Sequence, residues 1–420
     1  MVQDSGHFDL VIVGGGIAGA ALALELSRSE TGAQMKIAVL ESTPDALEAR
    51  GGPERVIALS WGSKAHLDRL GVWDETARLG AAPIRDIHVC EPGNEGTVDL
   101  TYADALAEGR SVEALGYVIQ LAHAAEAIRN KLASDAPNVK WLCPARLVSM
   151  QKSAERVDLQ VAVEGKTRSM TASLLVGADG THSQVRHMAG ITTLGWDYNR
   201  FGLVASIRPE IAHKDVAYEC FRETGPLAFL PLDAERCSIV WSLKPDEAAR
   251  LMLLPDAAFL KALQKAGGRE IAEALGSIVE TGPRACFPLE LRQAKSCGVD
   301  RIALIGNAAH TIHPVGGQGL NLGLRDVAVL ADVLLNAREA GRDPGTYIVL
   351  DEYRERRYAD HAAVISFTEG LNAAFASDFA PLRWLRSQGL NTMQRMSFMR
   401  DLLMHQAAGI AQMPGLRRAA

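Results

Sequence analysis

The sequence predicts an α/β protein in which a helix-covered parallel sheet carries an inserted antiparallel sheet and ends in a helical tail. Three observations support this fold class. Apolar strands alternate with helices at the N-terminus and again over 301–334, as in a parallel sheet. Between them, residues 190–298 form short alternating segments separated by turns, which is typical of an antiparallel sheet. Residues 379–420 repeat apolar side chains at near-helical spacing.

Length and composition exclude several classes of protein. A chain of 420 residues is long enough for two or three structural units. Hydrophobic residues at 48% and charged residues at 22% are typical of a globular protein and exclude disorder as the main state. The net charge of −6 disfavours a nucleic-acid-binding protein, which needs a broad basic face.

The sequence shows no membrane-spanning segment. The longest uncharged stretch, 10–24, is shorter than the ~20 residues a span requires and is rich in glycine. The N-terminus is acidic and lacks the features of a signal peptide, so we expect a cytoplasmic protein. The six cysteines form no CxxC pair, so we expect free thiols and neither a zinc ribbon nor a redox dithiol.

The first chemical motif lies at the N-terminus. An apolar strand over 8–13 runs into the glycines of GGGIAG, then into good helix formers and a second apolar strand over 36–41. Glycines at positions 14, 16 and 19 allow a tight turn and the approach of backbone N–H groups to a pyrophosphate. Glu41, at the end of the second strand, is placed to bind a ribose. The sequence therefore predicts a dinucleotide site at Gly14, Gly16, Gly19 and Glu41, either for FAD or for a nicotinamide cofactor.

Two further motifs follow the same plan. In LLVGADGTHSQVR, an apolar strand ends at Gly177, and Asp179 begins a tight turn before a short helix. In RIALIGNAAHTIHPVGGQGLNLGLRD, a strand over 302–305 meets Gly306 and a glycine-rich loop, which leads into a long apolar helix. We call residues 314–321 the glycine-rich loop.

In these motifs the chain resembles the FAD-dependent aromatic hydroxylases of the para-hydroxybenzoate hydroxylase fold, which carry GxGxxG, DG and GD motifs in this order. Within that group it is most similar to the ubiquinone-biosynthesis hydroxylases, in particular the branch that acts on 2-polyprenyl-6-methoxyphenols. The stretches 54–63, 225–232 and 306–326 carry this similarity. The resemblance covers approximately residues 7–400 and implies an FAD-binding Rossmann-like domain of the glutathione-reductase type.

The resemblance also implies the cofactors and most of the site. FAD is bound, NAD(P)H is the co-substrate, and one oxygen atom of O₂ is transferred to a phenol ring. Asn307 stands where the general family pattern has Asp; it keeps an acceptor oxygen for the ribityl chain but loses the charge. The implied cofactor-binding residues are Gly14, Gly16, Gly19, Glu41, Arg55, Gln120, Asp179, Asn307, Gly319, Leu320 and Asn321.

Few residues are expected to act in catalysis directly, because the cofactor carries most of the chemistry. The glycine-rich loop, including Pro314 and Gly317, is expected to place N–H groups and a helix N-terminus beside the flavin pyrimidine. His310 either helps to deprotonate the phenol or only positions this loop. No third ligand lies near His310 and His313 in sequence, so no metal site is predicted.

An apolar pocket for a prenylated phenol is expected in the antiparallel region. Its candidate lining residues are Phe221, Phe229, Pro231 and Trp241. Strand alternation turns about half of such residues into the core, so each is a candidate for either place. The expected units are an FAD-binding domain (1–80, 101–189 and 299–378), a substrate-binding sheet domain (81–100 and 190–298) and a helical tail (379–420).

The tail and the reaction leave alternatives open. The tail contains six arginines and one acidic residue and is expected to form a basic amphipathic helix. Such a helix can bind a membrane surface, bind a partner in ubiquinone biosynthesis or pack against the body of its own chain. A flavin-bound scaffold subunit with little turnover, or a hydroxylase of another aromatic substrate, is the alternative to the main function. A halogenase is disfavoured because the six tryptophans form no WxWxIP-like segment. The oligomeric state is not predicted.

Overall fold

The computed structural model describes residues 3–43, 54–92, 96–107 and 112–375. The helices are α1 (Ile17–Ser27), α2 (Glu30–Ala33), α3 (Trp61–Arg69), α4 (Trp73–Gly80), α5 (Tyr102–Ala107), α6 (Leu121–Asp135), α7 (Gln184–Met188), α8 (Pro245–Leu253), α9 (Asp256–Leu275), α10 (Gln318–Glu339) and α11 (Tyr347–Phe375). The predicted tail over 379–420 lies outside the described residues.

The strands lie between these helices along the chain, singly or in runs. The first eleven are β1 (Gln3–Val13), β2 (Ile37–Leu40), β3 (Val56–Ser60), β4 (Ala81–Ile84), β5 (Asp86–Cys90), β6 (Thr97–Thr101), β7 (Gly116–Gln120), β8 (Val139–Leu142), β9 (Ala145–Lys152), β10 (Val157–Val163) and β11 (Lys166–Gly177). The others are β12 (Thr193–Leu194), β13 (Asp197–Pro209), β14 (Val216–Cys220), β15 (Leu227–Pro231), β16 (Cys237–Leu243), β17 (Ile278–Thr281), β18 (Ala285–Glu290), β19 (Arg292–Ala294), β20 (Gly298–Val299), β21 (Ile302–Leu304) and β22 (His310–Thr311).

The main sheet is parallel in its centre, in the order β21, β11, β1, β2, β8. In β1, Leu10 lies opposite Leu174 of β11 and Ile37 of β2. Its apolar residues are buried on both faces, as a strand covered by helices requires. Helix α1 is apolar all round and contacts both α6 and α10, so it is buried on nearly every side. The predicted strand–turn–helix–strand unit is confirmed.

The second sheet is mostly antiparallel, in the order β17, β13, β16, β15, β14, β5, β6, with β18 beside β13. This agrees with the alternating pattern predicted over 190–298. Among the described strands of this sheet, β14 and β5 alone pair in parallel. Strand β4 instead joins β3 and β7 in a small separate sheet, so 81–84 do not enter the antiparallel sheet. The exact domain boundaries stay a prediction.

The two faces of this antiparallel sheet contact different parts of the molecule. The outer face packs under α8 and α9, where Leu203 and Trp241 meet Phe259 and Leu263. The inner face turns toward the nucleotide-binding half: Phe221 shares a small cluster with Val315 of the glycine-rich loop. Because successive side chains of a strand point to opposite faces, neighbouring residues of one strand enter these different surroundings.

No helix among the described residues combines the length and the apolarity that crossing a membrane requires.

Candidate active site

The glycine turn after β1 shows two kinds of glycine. Gly14 has a φ of +105°, and a Cβ there would lie 2.3 Å from the carbonyl oxygen of Ala178. A Cβ on Gly19 would lie 2.0 Å from the carbonyl oxygen of Gly14. A Cβ on Gly16 meets nothing within 4 Å. Gly14 and Gly19 are therefore required because the backbone packs closely around them, whereas Gly16 borders open space at the N-terminus of α1.

Glu41 lies directly over this turn. Its Oε2 accepts a hydrogen bond from the Gly15 N–H at 2.8 Å, and its Oε1 accepts one from the Thr43 N–H at 2.9 Å. A Cβ on Gly15 would lie 2.6 Å from the ring of Trp141. Trp141 was missed by sequence reasoning, since only the pairing of β2 with β8 brings it beside Glu41. An aromatic ring thus flanks the predicted ribose-binding carboxylate.

The second motif meets the first at the same sheet edge. The Ala178 N–H donates to the Val13 carbonyl at 2.7 Å, which places Asp179 beside the glycine turn. The Asp179 carboxylate accepts from the N–H groups of Gln184 and Val185, so it caps α7. A Cβ on Gly180 meets nothing within 4 Å, which leaves that side of the turn open.

The third motif is tied to the second by a buried arginine. Arg186 donates from Nη1 to the Ala308 carbonyl at 2.8 Å and from Nη2 to the Thr181 carbonyl at 2.7 Å. Since β21 is parallel to β11, Gly306 ends its strand at the same edge as Asp179. Asn307 is exposed at this edge. The three predicted motifs are thus brought together by the sheet.

The glycine-rich loop is fastened by Asn321. Its Oδ1 accepts from the Ser60 N–H at 2.9 Å, and its Nδ2 donates to the carbonyls of Ala58 and Gly317 at 3.0 and 2.8 Å. Gly316 and Gly317 have φ values of +64° and +63°. Both N–H donors and the oxygen of the Asn321 amide are therefore engaged in holding the loop against β3. Its side chain is a loop anchor in this structure.

The remaining predicted cofactor residues lie around this loop. Gln120, half-buried, pairs across the small sheet with Val56, and the carbonyl of Arg55 accepts from the Leu121 N–H at 2.9 Å. The side chain of Arg55 is exposed. A Cβ on Gly319 meets nothing within 4 Å, and Leu320 is half-buried. Arg55 thus directly precedes β3, the strand to which Asn321 is bonded, and Gln120 ends β7, which pairs with β3.

A buried carboxylate beneath the loop was missed by sequence reasoning. Asp326 of α10 is fully buried. Its Oδ2 accepts from the Gly306 N–H at 3.0 Å and lies 2.6 Å from His310 Nε2. Its Oδ1 accepts from Arg357 Nε at 2.7 Å and lies 2.8 Å from His361 Nε2. The network joins the Gly306 turn, α10 and α11.

This network is a set of hydrogen bonds and ion pairs. Nitrogen and oxygen atoms of His310, Asp326 and His361 lie within 4.8 Å of one another, a spacing that also suits a metal ion. However, each Asp326 oxygen already accepts two hydrogen bonds, and the permanent charge of Arg357 opposes a cation there. Burial alone raises the pKa of Asp326, but His310, His361 and Arg357 outweigh it and hold that pKa well below its usual range.

The two histidines predicted as a pair point to different partners. His310 is fully buried against Asp326, an arrangement that favours loop positioning over contact with a substrate. The ring of His313 instead lies edge-on to Tyr198, with centroids 5.1 Å apart. Burial, with a smaller contribution from Arg200, lowers the pKa of His313 to about 4, so it is neutral at pH 7.

The candidate pocket residues divide between the two sheet faces. Phe221 lies on the inner face against Val315. Phe229 and Trp241 lie on the outer face, in the core beneath α8 and α9, and Pro231 is buried two residues after Phe229 on the same strand. This placement favours Phe221 for a pocket and favours a core role for Phe229 and Trp241.

The arrangement fits FAD, by two observations. Helices α1 and α10 both begin at a glycine with no side-chain cap and no acidic residue in the first turn, so their first N–H groups are free to meet anionic groups. Next to them, Gly16, Gly180 and Gly319 leave room that a Cβ would occupy. Two open helix N-termini with free space beside them define a site for an anionic dinucleotide such as FAD.

Comparison with known proteins agrees with an FAD-binding site. Residues 7–368 match the FAD binding domain family, and the chain belongs to this family. It is 36% identical to the ubiquinone hydroxylase UbiL of Rhodospirillum rubrum, over 96% of this chain and 89% of that protein. It is 33% identical to the 3-demethoxyubiquinol 3-hydroxylase of Escherichia coli, over 96% and 98%. The chain is an FAD-dependent monooxygenase of the ubiquinone-hydroxylase type.

A solved structure shows the same fold. The p-nitrophenol 4-monooxygenase PnpA of Pseudomonas putida DLL-E4 matches with a TM-score of 0.75 at 20% identity, over 96% of this chain and 97% of that chain. The predicted fold class is confirmed.

The two kinds of glycine predict different outcomes on substitution. Gly16→Ala fills only open space, so it should leave the melting temperature of the FAD-free protein unchanged. It should raise the FAD dissociation constant at least tenfold, about 1.4 kcal/mol. Gly19→Ala, whose Cβ would lie 2.0 Å from the Gly14 oxygen, should lower that melting temperature. Calorimetry and flavin-fluorescence titration measure both quantities. Wild-type FAD affinity in Gly16→Ala would contradict the assignment of this space to the cofactor.

Loss of the buried charge predicts a large change in stability. Asp326→Asn should lower the free energy of unfolding by about 3–5 kcal/mol, because Arg357 keeps only Asp360 as a carboxylate partner and the amide nitrogen cannot accept the hydrogen bonds of a carboxylate oxygen. The control Asp332→Asn breaks the exposed pair with Arg356 and should cost less than about 1 kcal/mol. Urea unfolding measures both variants. Equal losses would contradict the role given to Asp326.

The same carboxylate predicts a pH dependence. Its pKa is lower in the folded protein than in the unfolded chain, where an aspartate titrates near ~3.9. Its contribution is therefore complete above about pH 4 and is lost as the pH falls toward the folded-state value. The Asp326→Asn variant should therefore lose less free energy of unfolding on acidification than the wild type does. Urea unfolding at several pH values measures this difference. If the free energy of unfolding fell with pH in the variant as it does in the wild type, Asp326 would not be a source of the acid-induced loss of stability.

Proposed function

We propose that this FAD-dependent monooxygenase hydroxylates the ring of a polyprenyl-methoxyphenol in ubiquinone biosynthesis, consuming NAD(P)H and O₂. The observation that carries the proposal is the meeting of three nucleotide-binding motifs and the glycine-rich loop under the inner face of an apolar sheet. The similarity to hydroxylases named for ubiquinone intermediates supports the substrate class.

The described residues suggest a place for each part of FAD. The uncapped N-terminus of α1 at Gly16 would meet the pyrophosphate. Glu41 would bind the ribose, with the Trp141 ring beside the adenosine half of the cofactor. Asn307, exposed at the sheet edge, would meet the ribityl chain. The N-terminus of α10 would face the pyrimidine edge of the flavin.

FAD, when bound, supplies the redox chemistry that activates oxygen for transfer to the ring. The protein contributes fixed charge and position. The N-terminus of α10 carries partial positive charge, and no acidic residue in its first turn cancels it. It would therefore stabilise negative charge at the pyrimidine edge without a lysine. Asn321 keeps this N-terminus in place through Ser60 and Ala58.

The phenol is bound, in this proposal, against the inner face of the sheet. Phe221 packs against Val315, and Leu230 packs near Ala217, so two apolar clusters lie along this face. Apolar walls exclude water from the reacting ring and suit a prenyl chain.

Between these clusters, Glu219 is the best-placed acceptor for the phenol proton. It lies two residues after Ala217 on β14 and two residues before Phe221, which directly follows the strand, and therefore shares their face. Burial, reinforced by Cys90, raises the pKa of Glu219 to about 7, although part of its side chain still meets solvent. A carboxylate with this pKa accepts a proton near neutral pH. We assign this role to Glu219 and loop positioning to His310, which is fully buried against Asp326.

A low-turnover scaffold is the alternative, with Asn307 in place of the family's Asp as its only support. Oxygen labelling distinguishes the two. Purified, FAD-loaded protein should incorporate one ¹⁸O atom from ¹⁸O₂ into a short-chain prenyl methoxyphenol in the presence of NAD(P)H. Mass spectrometry detects the labelled ring product. Bound FAD with no labelled product, and no acceleration of NAD(P)H oxidation by several phenols, would favour the scaffold.

The role of Glu219 predicts a pH profile. Hydroxylation should increase as the pH rises through about 7, because the carboxylate form is the proton acceptor. Glu219→Gln should lower the rate at neutral pH by about 10²-fold or more and remove that rise. Product formation across pH measures the effect. Glu280→Gln, in an exposed ion pair with Arg208 on the same sheet, is the control and should behave as wild type. A wild-type profile in Glu219→Gln would exclude this residue as the base.

A further inference from the structure

Two cysteines 130 residues apart in the sequence meet in the antiparallel sheet. Cys90 ends β5 and Cys220 ends β14, and these parallel strands pair Cys90 directly with Cys220. Their Sγ atoms lie 3.3 Å apart. Both side chains are buried on the outer face, turned away from the proposed substrate site. The sequence predicted no dithiol because no CxxC pair is present.

The surroundings of Cys90 favour the thiolate. His88 precedes it by two residues on the same face of β5, and His88 Nδ1 lies 2.6 Å from an Asp99 oxygen. The hydrogen bond to Asp99, with a second one to Cys90, raises the pKa of His88 to about 9. The hydrogen bond between Cys90 and Cys220, followed by that with His88, lowers the pKa of Cys90 to about 6. Burial and Glu270 of α9 act in the opposite direction and are outweighed.

We propose that Cys90 and Cys220 form a peroxide-reactive dithiol that closes to a reversible disulfide. In the first step the Cys90 sulfur attacks hydrogen peroxide, the O–O bond breaks, and a sulfenic acid and water are formed. In the second step the Cys220 sulfur attacks the Cys90 sulfur, the S–O bond breaks, and a disulfide and a second water are formed. Two thiols are oxidised and one peroxide is reduced. A flavoenzyme that activates O₂ without a substrate in place is a local source of the peroxide.

The backbone geometry allows this bond. Neighbouring strands lie about 4.8 Å apart, and disulfides join Cα atoms roughly 4.4–6.8 Å apart. The other buried cysteines have no such reactivity: burial raises the pKa of both Cys237 and Cys297 to about 12, so they stay protonated. Among the buried cysteines, reaction with peroxide should therefore be confined to the Cys90–Cys220 pair.

The pair is also joined to the inner face of the sheet. The N–H of Phe221, directly after Cys220, donates to the Cys90 carbonyl at 2.8 Å. The Phe221 side chain packs against Val315 of the glycine-rich loop. The dithiol therefore lies one residue away from a side chain that contacts the candidate active site.

Mass spectrometry of the full-length, FAD-loaded protein tests the proposal. Reduced protein treated with hydrogen peroxide and then alkylated under denaturing conditions should show four modified cysteines out of six. Peptide mapping should link Cys90 to Cys220, and dithiothreitol should restore all six thiols. Six alkylated cysteines after peroxide, or a disulfide between other cysteines, would overturn the proposal.

Two variants test the order of the steps. In Cys220→Ser the Cys90 sulfenic acid has no resolving thiol, so dimedone should label Cys90. In Cys90→Ser, dimedone should leave Cys220 unlabelled. Cys286→Ser removes a half-exposed thiol outside the pair and should still form the disulfide. No label on Cys90 in Cys220→Ser would contradict its role as the attacking thiolate, and the wild-type measurement stands if a variant fails to fold.

Discussion

The buried carboxylate of Asp326 is the interaction on which the candidate active site depends. A charge in the core is tolerated only when hydrogen bonds and opposite charges surround it. Asp326 obtains them from the Gly306 turn, His310, Arg357 and His361. Satisfying one carboxylate thus fixes the end of β21 and α11 relative to α10. The N-terminus of α10, which would meet the flavin, takes its position from this network and from the Asn321 anchor.

The site is built mainly from backbone groups. Two helices begin without side-chain caps, and the glycines beside them leave space for a ligand. Uncapped N–H groups remain unsatisfied unless water or a ligand meets them. Cofactor binding would therefore complete the hydrogen bonding of the fold. In such a site the cofactor brings the reactivity, and the protein brings orientation and a fixed dipole.

One strand of the second sheet presents two kinds of chemistry. On β14 and directly after it, Glu219 and Phe221 belong to the inner face, whereas Cys220 faces the core beneath α8 and α9. Strand alternation keeps the proposed proton acceptor and the proposed dithiol on opposite sides of a single sheet. They remain coupled electrostatically, because the charge of Cys90 contributes to the raised pKa of Glu219. The charge of Cys90 therefore acts on Glu219 through the sheet, although the two side chains lie on opposite faces.

The sequence by itself determined what depends on consecutive residues. The strand–turn–helix–strand unit from β1 to β2 and the turns at Asp179 and Gly306 are read locally, because strand, turn and helix preferences act over a few positions. Motif order, through family resemblance, added the cofactor. Only the tertiary structure decided that His310 belongs to Asp326, that Phe229 faces the core and that Cys90 meets Cys220. These contacts depend on strand register and helix packing over the whole chain, and a one-residue shift in register would reverse which side chains face each other.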